Sequence, residues 1–294
     1  MKVYDTHSDI FYNLAFRNTP DPFKEYHLDD LQKGDVVGGI WVVYSDCEFD
    51  VIKAYKEALA KYEPYKDKFD VIYGMEGLRN VKNLKELDEL YQMGIRHAML
   101  TWNEENHLAT GVKAISNNGL KEEGKEFIKY MNEHHMIVDV SHLNVQSFYD
   151  VINEKPEILI ASHSNAYALS DHPRNLTDDQ LRTLKEAGGM VGVVAARNFV
   201  SKDPKKQNCA GLVEQIQYIA NIIGIDNVML GLDMMHFLDD FNDANLDDLR
   251  CHADVPNIIE AMKKAGMSEK DIEKVCYLNF KRLKKKVYGN EGDK

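Results

Sequence analysis

Residues 136–163 read MIVDVSHLNVQSFYDVINEKPEILIASH. The stretch opens and closes on short apolar runs, 136–142 and 158–163, and residues 145–153 between them repeat with the 3.6-residue period of a helix. Strand, helix and strand in so short a span predict a βαβ unit with its two strands parallel. Both predicted strands close on a histidine, His142 and His163.

The same alternation runs outward in both directions. Strands are predicted at 3–9, 39–44, 71–76, 97–102, 136–142, 158–163, 190–195 and 228–233. Helices are predicted at 24–33, 49–65, 84–93, 120–134, 145–153, 177–187, 212–223, 255–265 and 269–287. The run Gly39-Ile40-Trp41-Val42-Val43-Tyr44 is apolar throughout, as a strand covered on both faces should be. Gly94 suits the end of one helix, and Thr177 with Gln180 suits the start of another. Eight βα units without a linker or composition break predict an α/β chain folded as a (β/α)₈ TIM-type barrel, a single domain over residues 1–294. An open doubly wound sheet is the competing architecture, but the Gly-x-Gly-x-x-Gly turn it would want is absent.

A formal net charge of −12 argues against a nucleic-acid or anionic-membrane surface. The basic cluster Lys281, Arg282, Lys284, Lys285 and Lys286 reads as a solvated helix end. No run is long and apolar enough to span a bilayer, and the sequence opens without an apolar leader. Cys47, Cys209, Cys251 and Cys276 form no Cys-x-x-Cys and read as free thiols, so a cytoplasmic location is expected.

In a barrel, reactive residues sit at the C-terminal ends of the strands. The first strand delivers His7 and Asp9, which alternate onto one side if the strand runs through both. The third delivers Glu76, the fourth Trp102 and Asn103, the fifth His142, the sixth His163 and the eighth Asp233. A lone histidine among these would read as a satisfied core residue. Three imidazoles and two carboxylates together suit a borderline divalent metal. They exceed what one tetrahedral ion needs, and a bridging carboxylate suits two metals about 3.5–4 Å apart. His27, His97, His107, His134, His135 and His252 have no matching partner in this pattern.

With these residues in hand, the chain resembles the membrane (renal) dipeptidase family, the zinc dipeptidases of the metal-dependent amidohydrolase superfamily. The matching stretches are Asp5-Thr6-His7-Ser8-Asp9, Gly74-Met75-Glu76-Gly77, Ile137-Val138-Asp139-Val140-Ser141-His142, Ile160-Ala161-Ser162-His163-Ser164-Asn165-Ala166, His172-Pro173-Arg174-Asn175-Leu176 and Asn279-Phe280. The resemblance covers nearly the whole chain. It implies a (β/α)₈ barrel carrying two Zn²⁺ ions per chain, with His7 and Asp9 on the first, His142 and His163 on the second, and Glu76 between them. It further implies a metal-bridging hydroxide as nucleophile, Asp233 as the catalytic aspartate, and Arg174 as the holder of the substrate's C-terminal carboxylate. The implied partner is a dipeptide or related small carboxylate-bearing molecule. A homodimer stands among the open options for assembly.

The sequence leaves the family pattern twice. Trp102 stands where eukaryotic members have a histidine that contacts substrate, and Leu232-Asp233-Met234-Met235-His236 keeps the first aspartate of its segment but loses the second and the glycine. Trp102 is expected to line the cleft and restrict it to small residues, with Asn103 and His236 as replacement hydrogen-bond donors. Two other functions compete with dipeptide hydrolysis. One is a different amidohydrolase reaction on the same metals, such as N-acyl amino acid hydrolysis or lactone opening. The other is a drifted, non-catalytic metal-binding barrel.

Overall fold

The computed structural model describes residues 1–289. Its eight strands are β1 (Val3–Ser8), β2 (Val36–Tyr44), β3 (Asp70–Glu76), β4 (Ile95–Met99), β5 (Ile137–Asp139), β6 (Leu159–Ala161), β7 (Met190–Val193) and β8 (Val228–Leu230). They lie side by side in chain order, and every ladder between neighbours is parallel. Hydrogen bonds from side chain and loop join the two ends of the sheet. Thr6 Oγ1 donates to the Leu230 carbonyl at 2.9 Å, and Asp233 N donates to the His7 carbonyl at 3.2 Å. The result is the nearly closed (β/α)₈ barrel that the alternation predicts.

The helices are α1 (Ile10–Phe16), α2 (Asp29–Lys33), α3 (Val51–Tyr62), α4 (Leu84–Gln92), α5 (Glu122–Glu133), α6 (Val145–Asn153), α7 (Asp178–Glu186), α8 (Arg197–Val200), α9 (Cys209–Ile223), α10 (Val255–Lys264), α11 (Glu269–Glu273) and α12 (Asn279–Tyr288). Thr177 caps α7 with the reciprocal Thr–Gln pairing expected of it. Neither α1 nor α8 is among the predicted helices; at seven and four residues they are too short for periodicity to reveal. The predicted helix 269–287 is broken by a π-helical turn, Lys274–Leu278. That wider turn lets two aromatic rings reach one target: Phe280 stacks on Tyr4 at 4.4 Å and Tyr277 does so at 5.1 Å. Phe280 and Leu283 thereby close the end of the barrel where the strands begin, against Ile40, Ile72, Ile160 and Met229.

The opposite end carries the chemistry. There the predicted strands run on too far: the β5 ladder stops at Asp139, β6 at Ala161 and β8 at Leu230. Beyond the last rungs the backbone turns, and His142 and Asp233 take positive φ of 68° and 53°. Few non-glycine residues adopt that conformation, and it concentrates at functional sites. Asp9 likewise lies past the end of β1, at the start of α1, so its approach to His7 comes from the turn and not from strand alternation.

Candidate active site

Glu76, the last residue of β3, lies at the centre. Its Oε1 is 2.8 Å from His142 Nε2 and 3.6 Å from His163 Nε2, and its Oε2 is 3.3 Å from His7 Nε2. Ligand atoms of His7, Asp9 and Asp233 form a second cluster, all within 4.8 Å of one another. The His7 and His163 rings stack with centroids 3.7 Å apart. Gly77, directly after Glu76, lets the chain pass close to the end of the fourth strand, since a Cβ on it would lie 2.8 Å from Trp102 N and its φ is +86°.

The His142 tautomer follows from its outer hydrogen bond. Asn103 Oδ1 can only accept, so His142 donates from Nδ1 at 2.9 Å and turns a lone pair inward on Nε2. His163 Nδ1 pairs with Ser162 Oγ at 2.8 Å, which leaves its Nε2 to face inward as well. The two Nε2 atoms stand 2.9 Å apart, so His163 Nε2 can donate to the His142 lone pair, and a cation seated between the rings would take the place of that proton. His7 Nε2 and Asp9 Oδ1 are buried and have no hydrogen-bond partner among the described residues. Two orphaned atoms, converging imidazole nitrogens and three carboxylates make a donor set that fits a divalent metal such as zinc.

The electrostatics agree. Burial pushes the His7 imidazole down, but Glu76, Asp233 and Asp9 outweigh it and lift the pKa to about 10. A field strong enough to do that also favours a divalent cation. Burial disfavours the Glu76 carboxylate, yet His7 and His142 hold it well below the usual carboxylate range. Asp9 is pushed up by burial and by Glu76. Burial lifts Asp233 to about 6 against the pull of His7. His142 falls to about 4 through burial and the nearby Arg174 charge.

A cleft of about 300 Å³ opens over this cluster, lined by Asp9, Glu76, His142, Asp233, Arg174, Trp102 and Asn103 among others. Arg174 is 5% exposed; its guanidinium lies 5.7 Å over the Phe199 ring and donates to the His163 carbonyl at 3.4 Å. No carboxylate pairs with it among the described residues. Trp102 stacks toward His142 at 6.1 Å and Tyr44 at 6.0 Å. The one expected residue that turns away is His236. Its Nε2 faces Asp30 at 3.3 Å, and its neighbour Met235 lines the cleft instead. Sequence reasoning also missed two buried pairs beneath the cluster, His97 with Asp139 and His252 with Asp5, each at 2.8 Å. An aspartate inside an apolar run, as in 136–142, is the signal that could have found them.

A family model described as membrane dipeptidase (peptidase family M19) matches residues 60–291. The chain belongs to the membrane dipeptidase family. A Klebsiella pneumoniae relative of this family member, described as an uncharacterized protein in the pqqA 5′ region, is 34% identical over 208 residues, covering 67% of this chain and 74% of its own. Dipeptidase tcpJ of Claviceps purpurea is 27% identical over 262 residues; the match spans 88% of this chain but only 60% of that enzyme. Among solved structures, a metallo peptidase from Rhodobacter sphaeroides liganded with a phosphinate mimic of the dipeptide L-Ala-D-Ala superposes with a TM-score of 0.83 at 22% identity. That superposition covers 96% of this chain and 98% of the other, and it supports the barrel fold. Among the described residues, no helix is long and apolar enough to cross a membrane.

Proposed function

We propose that this member of the metallopeptidase family is a dinuclear zinc dipeptidase acting on small dipeptides, its whole length serving as one barrel domain. His7 and Asp9 would hold one ion, His142 and His163 the other, and Glu76 both. Bound zinc supplies a polarising charge at the scissile carbonyl and lowers the pKa of water toward about 7. Asp233, at the cleft wall 3.9 Å from His7 Nε2, accepts a proton from the attacking water and returns it to the leaving amine. Arg174 orients the substrate through its C-terminal carboxylate, for which a planar guanidinium is well shaped. The Asn103 amide NH₂ donates toward the substrate, and Trp102 narrows the cleft so that Gly and Ala dipeptides enter ahead of bulky ones. The four unpaired thiols accord with a cytoplasmic location.

Arg174 carries this reading: a buried cation with no carboxylate partner among the described residues shares one cleft with the ligand cluster. A buried unpaired charge is costly, and a substrate carboxylate offsets that cost. A lactone without a carboxylate or a structural metal site has no use for it, whereas an N-acyl amino acid would share it. The test compares free and C-terminally amidated dipeptides with zinc present. Arg174→Met should raise KM for the free dipeptides by tenfold or more, the loss expected for a charge-assisted pair worth about 1.5–3 kcal/mol, and barely affect the amidated ones. Equal effects on both classes would exclude carboxylate binding by Arg174.

A further inference from the structure

The two histidine–aspartate pairs beneath the site share one design. Asp5 Oδ1 accepts from His7 N at 3.2 Å and from Leu232 N at 2.7 Å, while its Oδ2 meets His252 Nε2 at 2.8 Å. Asp139 Oδ1 accepts from Ser141 N at 2.9 Å and from Ser162 N at 3.1 Å, while its Oδ2 meets His97 Nε2 at 2.8 Å. Both aspartates are fully buried, and both histidines are at most 1% exposed. Leu232 precedes Asp233, Ser141 precedes His142, and Ser162 precedes His163. Each carboxylate therefore ties together the backbones that carry two site residues from neighbouring strands. It does so where the ladders give out: the β5–β6 register ends at Asp139 and Ile160.

We propose that Asp5–His252 and Asp139–His97 are two positioning clamps, the first holding His7 against Asp233 and the second holding His142 against His163. The inference rests on the metal-site reading above. In each clamp the aspartate has one oxygen saturated by two amides, so the histidine N–H is the partner of the other oxygen and fixes the carboxylate's rotation. Among the described residues the imidazoles make no other hydrogen bond, since Nδ1 of His97 and of His252 has no partner there. A role confined to holding the aspartate accounts for that. Room for the second clamp is built into the Glu76 segment, because a Cβ on Gly74 would come within 2.5 Å of His97 Nδ1. Outer-shell partners of this kind typically change metal affinity by about 10–100-fold when lost.

The test is zinc titration of the chelator-stripped full chain, resolving two binding steps, on wild type, His97→Leu, His97→Gln, His252→Leu and His252→Gln. Each Leu variant is expected to weaken one zinc step by about 10–100-fold and leave the other within about threefold. Gln, which keeps an N–H for the aspartate, is expected to restore the weakened step. A merely structural role would lower the melting temperature and weaken both steps together, or leave Gln no better than Leu; either result overturns the clamps. Unchanged steps in both Leu variants overturn them too. Should a Leu variant not fold, Gly74→Ala, which crowds His97, decides: one weakened step supports the clamp and unchanged steps refute it. A wild type that binds fewer than two zinc ions defeats the metal reading and the clamps together, whereas two ions in wild type with unaffected variants defeat the clamps alone.

Discussion

Asp233 sits in left-handed backbone with φ of 53°, a conformation that asparagine tolerates as well as aspartate does. Asp233→Asn therefore removes the proton acceptor without disturbing the turn. The variant should keep its zinc and lose about 10²–10⁴-fold in kcat, read by steady-state kinetics beside metal analysis; near-normal turnover would rule out the proton-shuttle role. At this scale the sequence was most legible where an apolar run ends in a charged or ligating residue. His7, Glu76, His142, His163 and Asp233 all announce themselves that way, and the structure brings them together with Asp9. His97 and His252 do not, because their partners Asp139 and Asp5 lie on other strands: the β4–β5 pairing brings His97 to Asp139, and the turn 252–254 after β8 brings His252 to Asp5. His236 is the opposite case: its place in the loop after β8 suggested the cleft, but a carboxylate at Asp30 draws it aside.

Among the elements, the strands were read from apolarity and the helices from their period, and all eight strands stand where those signals lie. The ends of β2 and β3 fall at Tyr44 and Glu76 as predicted, but the other six strands stop short of their predicted ends. A ladder stops when the backbone turns to converge side chains, and nothing in composition marks that rung. The π-helical turn before α12 was hidden too, since a single inserted residue barely alters the hydrophobic pattern. Its consequence is testable. Phe280 is 1% exposed and plugs the barrel floor against Tyr4, far from the ligand cluster. Phe280→Ala should cost about 3–5 kcal/mol of stability by denaturant unfolding while the folded protein still binds zinc as wild type does. Weakened zinc binding at temperatures where the variant is folded would show that the floor and the site are not independent.

For the whole molecule, acid should act through buried neutral imidazoles. Burial, helped by the charges of His252 and His236, holds His27 well below its ordinary pKa, and its Nε2 bonds Asn13 Oδ1 at 3.0 Å. An unfolded imidazole takes up a proton near pH 6.5, whereas the folded one does so only at lower pH. Between those values the unfolded state binds more protons, so stability present at neutral pH is lost as pH falls through about 6.5, by up to about 1.4 kcal/mol per pH unit for this group. With chelator present throughout, His27→Gln should flatten the decline between pH 7 and 5 relative to wild type; parallel curves would assign the acid sensitivity elsewhere. The barrel as a whole, on this account, brings three imidazoles and two carboxylates from the ends of four strands to one paired metal centre around Glu76, with Asp233 arriving from a fifth. Metal analysis of the zinc-loaded and dialysed protein tests that most directly. Two zinc ions per chain, falling when Glu76 is replaced by Gln, is the predicted result, and one ion or none in the unmodified chain would contradict it.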